Sequence, residues 1–333
     1  MTAEANVLRT DRSAPQVIAA EQAERRLFEH YGLIYSERIV RMDDPPIRLR
    51  VLEVGSGPPV LMVPGGSGEA FTYAPLVAKL AGRRLIIVNR PGGGLSDGVD
   101  YGRIDMRRLA VTTLTAILDA FALERVPVVA NSMGGLWTLW AAMEHPERIS
   151  AMVQLGCPAL ILGTSAPPPM RLLSLPVVNR LLLTVTLPAS VEQARKSLGM
   201  IGCSEETRRT LPDAFPEAMV HMFNLPVRRA AWLSLMRTVL RPLGANRRYQ
   251  LEPNDLSGIE HPTQFIWGDN DVFGGVDIGR QAESVMPTAT LRVIAGSHIP
   301  WVDNPDECAS LTNAVLQRPA LTVPTQPHAQ AAG

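Results

Sequence analysis

The sequence predicts an α/β fold: a mostly parallel, eight-stranded sheet flanked by helices, with a helical cap inserted before the last two strands. Three observations predict it. Runs at 85–89, 126–131 and 151–155 are apolar along their length and alternate with helical patterns at 106–122 and 133–144. Strands of that kind belong to a sheet covered on both faces. The alternation stops over 158–254, where helical patterns and prolines take over, and it resumes at His261. With 333 residues and 46% hydrophobic content, the chain can bury a large core.

Taken in order, residues 14–31 place Val17, Ala20, Ala23, Leu27 and Tyr31 on one stripe, so a helix lying on the outside of the domain is expected. Three short β-rich runs follow at 34–41, 47–54 and 60–63, separated by turn chemistry at 43–46 and 55–59, and predict an antiparallel start to the sheet. Within the inserted segment, where no convincing strand is found, Ser190 precedes Glu192 and Gln193, and Ser204 precedes Glu205 and Glu206. Both read as helix starts, because a serine hydroxyl caps free N–H groups and carboxylates favour the positive helix end. Runs at 264–267 and 290–294 supply the last strands, and 278–285 and 305–316 the last helices. The expected division is an arm and helix at 1–33, a main domain at 34–157 and 255–317, a cap at 158–254, and a disordered tail at 318–333. That tail is rich in Pro, Ala, Thr and Gln, too polar to pack.

Composition excludes several partners. Lys plus Arg and Asp plus Glu number 32 each, so neither net charge nor a basic run suggests nucleic acid. Cys157, Cys203 and Cys308 are far apart and odd in number, which points to buried or incidental thiols and to no disulfide framework or metal site. The first residues lack the basic start and apolar stretch of a secretory signal, so a cytoplasmic location is expected. The apolar tract at 172–187 is broken by Pro176 and Arg180 and is short for a ~30 Å hydrocarbon core, so no membrane insertion is expected. The assembly expected is a monomer or a homodimer.

The residues that carry chemistry gather at strand ends. Ala130-Asn131-Ser132-Met133-Gly134 lies between the apolar run 126–129 and a helical run. A serine there sits on a tight strand-to-helix turn, which needs small residues on both sides and lifts the hydroxyl above the sheet edge. The helix that follows turns its free N–H groups and positive end toward a developing oxyanion. Alone the motif is common, and an ordinary N-cap serine fits it more often. Two later residues reverse that balance. Asp271, in Trp267-Gly268-Asp269-Asn270-Asp271 past an apolar strand, is placed to face the same crevice. His298, in Ala295-Gly296-Ser297-His298, follows the last strand. Ser132 is therefore expected as nucleophile, His298 as general base and Asp271 as the acid that orients it. Asp269 is the other candidate acid, better suited to starting the turn. His30, His145, His261 and His328 read as surface or packing residues.

On these residues the chain resembles the α/β-hydrolase superfamily over about residues 34–316, with Ser132, Asp271 and His298 matching its nucleophile, acid and base. Val63-Pro64-Gly65-Gly66-Ser67-Gly68 falls where the superfamily keeps a His-Gly turn, which implies Gly66 and Met133 as oxyanion-hole donors. Asn89-Arg90-Pro91-Gly92-Gly93-Gly94-Leu95-Ser96-Asp97 is similar to its Asp-x-x-Gly-x-Gly-x-Ser-Asp loop. Pro64 replaces the usual His, Ala130 the first elbow Gly, Asn89 an Asp and Ser297 a common Gly. Proline has no N–H and fixes its own backbone, so the resemblance does not carry the detailed shape of the oxyanion loop over to this chain.

The resemblance implies a carboxylesterase-like serine hydrolase acting on an ester, lactone or thioester, with no metal or cofactor. Asn131-Ser132-Met133-Gly134-Gly135 also resembles the elbow of meta-cleavage product hydrolases, which cleave carbon–carbon bonds, although the longer Gly-Pro-Gly sequence of those enzymes is missing. A non-catalytic ligand-binding protein on this fold is the third reading. Candidate substrate contacts are Gly65, Asn131, Trp301 and His221. Trp137 and Trp140 read as core, and Gly92 to Gly94 as a turn, since they lack the Lys and Ser/Thr of a phosphate loop. Met170, Met200, Met219, Met222 and Met236 give the cap an adaptable apolar character, most of it spent on helix packing, and imply a hydrophobic substrate. Arg228, Arg229, Arg237, Arg241, Arg247 and Arg248 read as a solvated face.

Overall fold

Eight strands make the central sheet of the computed structural model, which describes residues 6–66, 68–176, 178–179 and 187–317. The tail expected at 318–333 lies outside the described residues. The strands are β1 (Tyr35–Arg41), β2 (Arg48–Val54), β3 (Pro59–Val63), β4 (Arg84–Val88), β5 (Val126–Asn131), β6 (Ile149–Leu155), β7 (Thr263–Gly268) and β8 (Ala289–Ile294). Their order across the sheet is β1-β2-β4-β3-β5-β6-β7-β8. β2 pairs antiparallel with both β1 and β4, while β4 through β8 run parallel. This is the α/β-hydrolase fold that the resemblance implied.

The parallel strands are apolar throughout because both faces are covered. Leu61, Val63, Ile86 and Val88 point to one face, where α2 (Met106–Ala120) and α3 (Ser132–Glu144) pack; α1 is the earlier helix Pro15–His30. Val60, Met62, Leu85 and Ile87 point to the other face. There they meet α1 and the C-terminal helix Pro305–Leu316. The edge strand β1 has one neighbour, and most of its residues are exposed.

Between β6 and β7 come α4 (Val191–Ser197), α5 (Glu205–Thr210), α6 (Ala214–Phe223) and α7 (Pro226–Val239). Ser190 accepts from the Gln193 N–H at 3.2 Å and Ser204 from the Thr207 N–H at 3.0 Å, which are the two N-caps expected from sequence. These helices build no core of their own. Leu235 and Met236 join the apolar cluster on one face of the sheet, and Phe215, Met219 and Met222 the cluster on the other. The segment also holds a pair of two-residue strands, Leu240–Arg241 with Gly244–Ala245, where no strand was expected. Among the described residues no helix is long and apolar enough to cross a membrane.

The α1 stripe buries Val17, Ala20, Ala23 and Leu27 as expected, while Tyr31 stays half-exposed. It also buries Glu24, which pairs with the equally buried Arg50 of β2; Arg50 reaches Glu37 of β1 as well, at 2.6 Å. On its outer side Arg26 meets Glu217 of α6 at 2.6 Å, so α1 braces an inserted helix as well as the sheet. Removing one partner of a buried pair leaves an uncompensated charge. Glu24→Ala is therefore expected to cost about 3 kcal/mol in urea unfolding. Adding Arg50→Met should bring the double variant's loss below the sum of the two singles; strict additivity would show that the pair is not coupled.

Candidate active site

The turn from β5 into α3 is set by close packing. Asn131 is still extended, with φ −131° and ψ 140°, and the next residue, Ser132, opens the helix at φ +51°. That left-handed conformation is strained for a residue with a Cβ and recurs where a side chain must be aimed. Gly134 shows what imposes it: a Cβ there would lie 2.2 Å from the Val63 carbonyl oxygen and 2.6 Å from that of Pro64. The helix start presses directly on the end of β3, so the chain reverses within one residue and exposes the hydroxyl.

Asp271 and His298 come from the loops after β7 and β8. His298 Nδ1 lies 2.9 Å and 3.0 Å from the two Asp271 carboxylate oxygens, which leaves Nε2 on the far side of the ring. Both residues are buried, at 6% and 5% exposure. Asp271 also accepts from the Cys157 N–H at 2.7 Å and the Phe273 N–H at 2.9 Å. Burial pushes the Asp271 carboxyl up, but His298, its hydrogen bond and the two backbone donors outweigh burial and hold it below the usual value. Asp269 is exposed and accepts from the Gly296 N–H at 3.0 Å, so it shapes the loop and takes no part in the His298 pair.

The elbow and the histidine loop are tied together. The Asn131 amide donates to the Leu155 carbonyl at 2.6 Å and to the His298 carbonyl at 3.1 Å. Gly66 and Met133 face each other closely, a Cβ on Gly66 falling 3.5 Å from Met133 Cβ. As the second residue of α3, Met133 has an N–H without an intrahelical acceptor.

Ser132, His298, Gly65, Gly66, Asn131, Met133 and Trp301 all line one cavity of about 320 Å³. Trp301 donates its indole N–H to the Thr72 carbonyl at 2.7 Å and is 1% exposed, so it buttresses the loop as well as facing the cavity. His221, in the last turn of α6, does not reach the cavity. Trp137 and Trp140 are core, as expected. The methionines depart from expectation: Met170, Met200, Met219 and Met236 line the cavity and only Met222 is left to packing alone. Arg228 departs too. It faces the cavity at 3% exposure, its Nε 3.0 Å from Glu69, in place of joining a solvated face. Arg241, Arg247 and Arg248 are exposed as expected. Sequence reasoning also missed Glu69 and the Cys157 N–H; the first adjoins a quoted motif, and the second, a backbone group, carries no sequence signal. Among the described residues no cluster of His, Cys, Asp and Glu is placed to hold a metal ion.

A model of the alpha/beta hydrolase family matches residues 60–311 of this chain. A protein from Cupriavidus pinatubonensis, named 2-hydroxy-6-oxononadienedioate/2-hydroxy-6-oxononatrienedioate hydrolase, is 27% identical over 76% of this chain and 85% of its own. A cis-3-alkyl-4-alkyloxetan-2-one decarboxylase from Shewanella oneidensis is 28% identical over 67% of this chain and 70% of its own. Among solved structures, a carboxylesterase from Bacillus subtilis superposes with a TM-score of 0.70 over 91% of this chain and 99% of that one, at 13% identity, a likeness of fold alone.

The folded Asp271 binds its proton less readily than an unfolded aspartate, so it stabilises the fold above about pH 4, and that contribution fades as pH falls toward its lowered folded value. Asp271→Asn is expected to lose about 1–3 kcal/mol at pH 7. In thermal melts the gap to wild type should narrow between pH 5 and pH 3; a gap independent of pH would contradict an ionised carboxylate.

Proposed function

The chain belongs to the alpha/beta hydrolase family, and on that premise we propose that it is a serine hydrolase that cleaves a carboxylic ester, lactone or thioester of a hydrophobic small molecule through an acyl-enzyme. The observation that carries the reading is the buried Asp271–His298 pair opening on the same cavity as a strained serine. In this reading His298 Nε2 takes the Ser132 proton as the hydroxyl oxygen attacks the acyl carbonyl. Asp271 holds the other ring nitrogen and stabilises the imidazolium. The oxyanion is bound by the Gly66 and Met133 N–H groups, each worth on the order of 3 kcal/mol. The imidazolium returns its proton to the leaving alcohol or thiol. Water, deprotonated by His298, then attacks the acyl carbon; the bond from that carbon to Ser132 Oγ breaks, the imidazolium returns its proton to Oγ, and the acid is released.

Residues 158–254 act as the cap in this reading and roof the serine. Leu173, Met200, Met219 and Met236 from that segment line the cavity and favour an apolar acyl or alcohol group. Apart from His298, Arg228 is the only ionisable residue among the described lining, and Glu69 offsets its charge. A second reading, carbon–carbon bond hydrolysis with the same triad, rests on the Cupriavidus relative. The name of that relative's substrate denotes two carboxylates, and a lining with one compensated arginine fits a dianion poorly, which ranks this reading second.

A panel of aryl esters of rising acyl length, lactones and a dienoate diketone decides between them. Wild type is expected to turn over apolar esters, preferring medium chains to acetate, and Ser132→Ala and His298→Ala should each lose about 10⁴-fold or more in kcat/KM. Equal turnover by wild type and Ser132→Ala would falsify the mechanism, and turnover of the diketone alone would move the reaction to the second reading.

A further inference from the structure

We propose that Arg90 is a positioning residue: it holds the Gly65–Gly66 turn so that the Gly66 N–H is aimed into the cavity, while Glu69, further along the same loop, ties that loop to Arg228 of α7. The inference rests on the oxyanion role proposed for Gly66. It answers a question the sequence raises, since Pro64 stands where the family resemblance places a histidine and brings no N–H with which to fix its own loop.

Arg90 supplies what Pro64 lacks. Its Nε donates to the Pro64 carbonyl at 3.1 Å, and its Nη2 donates to the Gly65 carbonyl. The side chain is 3% exposed, with its guanidinium over the Trp137 ring, 5.5 Å from the centroid, so it is fixed in place. A peptide unit is planar and trans, so a carbonyl and the next N–H point in opposite directions. Tying the Gly65 carbonyl to Arg90, with the Gly68 N–H as its second donor at 3.2 Å, therefore turns the Gly66 N–H away from Arg90, and Gly66 itself lines the cavity beside Met133. A cation on the carbonyl also polarises the peptide and makes its N–H a stronger donor.

Glu69 completes the arrangement. Buried at 2% exposure, it accepts from Arg228 Nε at 3.0 Å and from the Gly94 N–H, while Asn89 Oδ1 accepts from the Ala70 N–H at 3.1 Å. The loop after β3 is thus bound to the loop after β4 by Arg90, Asn89 and the Gly94 N–H, and Glu69 binds it to α7. Arg228 is itself part of the cavity wall. The cavity-wall Arg228 and the turn held by Arg90 are thus anchored to one loop.

The test compares Arg90→Met, Arg90→Lys and Ser132→Ala on the best aryl ester, together with inhibition by a trifluoromethyl ketone, which forms a tetrahedral oxyanion adduct. Arg90→Met is expected to lower kcat on the order of 10–100-fold, less than the ~10²–10³ for deleting a donor outright, because the turn is misaimed and not removed. KM should stay within about threefold, and the inhibitor's Ki should rise in step with the loss of kcat/KM. Arg90→Lys, which can reach one carbonyl, should fall between the two. It also carries the test if Arg90→Met does not fold, since wild-type kcat in the lysine variant overturns the proposal. A loss confined to KM, or a Ki that does not follow kcat/KM, overturns it too. Were wild type to show no Ser132-dependent turnover, the hydrolase reading itself would fall; with that turnover intact and Arg90 variants unimpaired, only this inference would.

Discussion

The rest of the site depends on one contact, the start of α3 pressed against the end of β3. There is no room for a side chain at Gly134 because the Val63 and Pro64 carbonyls occupy that space. The reversal after Asn131 must then happen in one residue, and Ser132 takes the left-handed conformation. The sheet order makes this contact possible: β3 lies beside β5 although β4 intervenes in the chain. That exchange sets residues 64–66 next to residues 132–133, so the elbow and its facing turn are built by the same packing. Asn131, the last residue of β5, extends the register sideways by holding the ends of β6 and of the histidine loop.

Around this frame lie two buried carboxylates with opposite electrostatic balances. Asp271 collects His298 and two backbone donors, and their combined pull keeps it charged in spite of burial. In the Glu69–Arg228 pair burial dominates: it pushes Glu69 up and Arg228 down, and the pair's mutual attraction only partly offsets it, while the charge of Arg90 holds Glu69 down but adds to the lowering of Arg228. A pair of that kind adds little net stability over apolar packing of the same volume. What it gives is geometry, since α7 cannot slide across the loop after β3 without separating the two charges.

Much of the fold was legible because buried strands and amphipathic helices leave periodic traces. The apolar runs at 85–89, 126–131 and 264–267 fall within a residue or two of β4, β5 and β7, and the serine caps at Ser190 and Ser204 were readable from local chemistry. The positions of Ser132, Asp271 and His298 were legible for the same reason, since each follows a strand. What escaped was long-range pairing of charges. Glu24 and Arg50 are 26 residues apart, Arg26 and Glu217 are 191 apart, and each looks in sequence like an ordinary solvated charge. Arg228 sits among other arginines, so nothing local marks it as the one turned inward. The methionines were misjudged because helices that form no core of their own must direct apolar side chains at the sheet, and there the cavity is.

That last point bears on what the cavity can accept. A charged group entering it loses its hydration, at a cost of several kcal/mol, and meets an arginine whose charge Glu69 already balances. Each apolar Å² that enters gains roughly 25 cal/mol. Selection on the proposed reading is therefore by volume and shape, with flexible methionines tolerating a range of chains. Because Arg228 joins the wall to Glu69 on the loop that also carries Gly65 and Gly66, a ligand that displaced it would disturb that loop as well. A poor fit would then weaken catalysis through that loop as well as through contact, and discrimination among apolar substrates would be expressed in kcat as much as in KM.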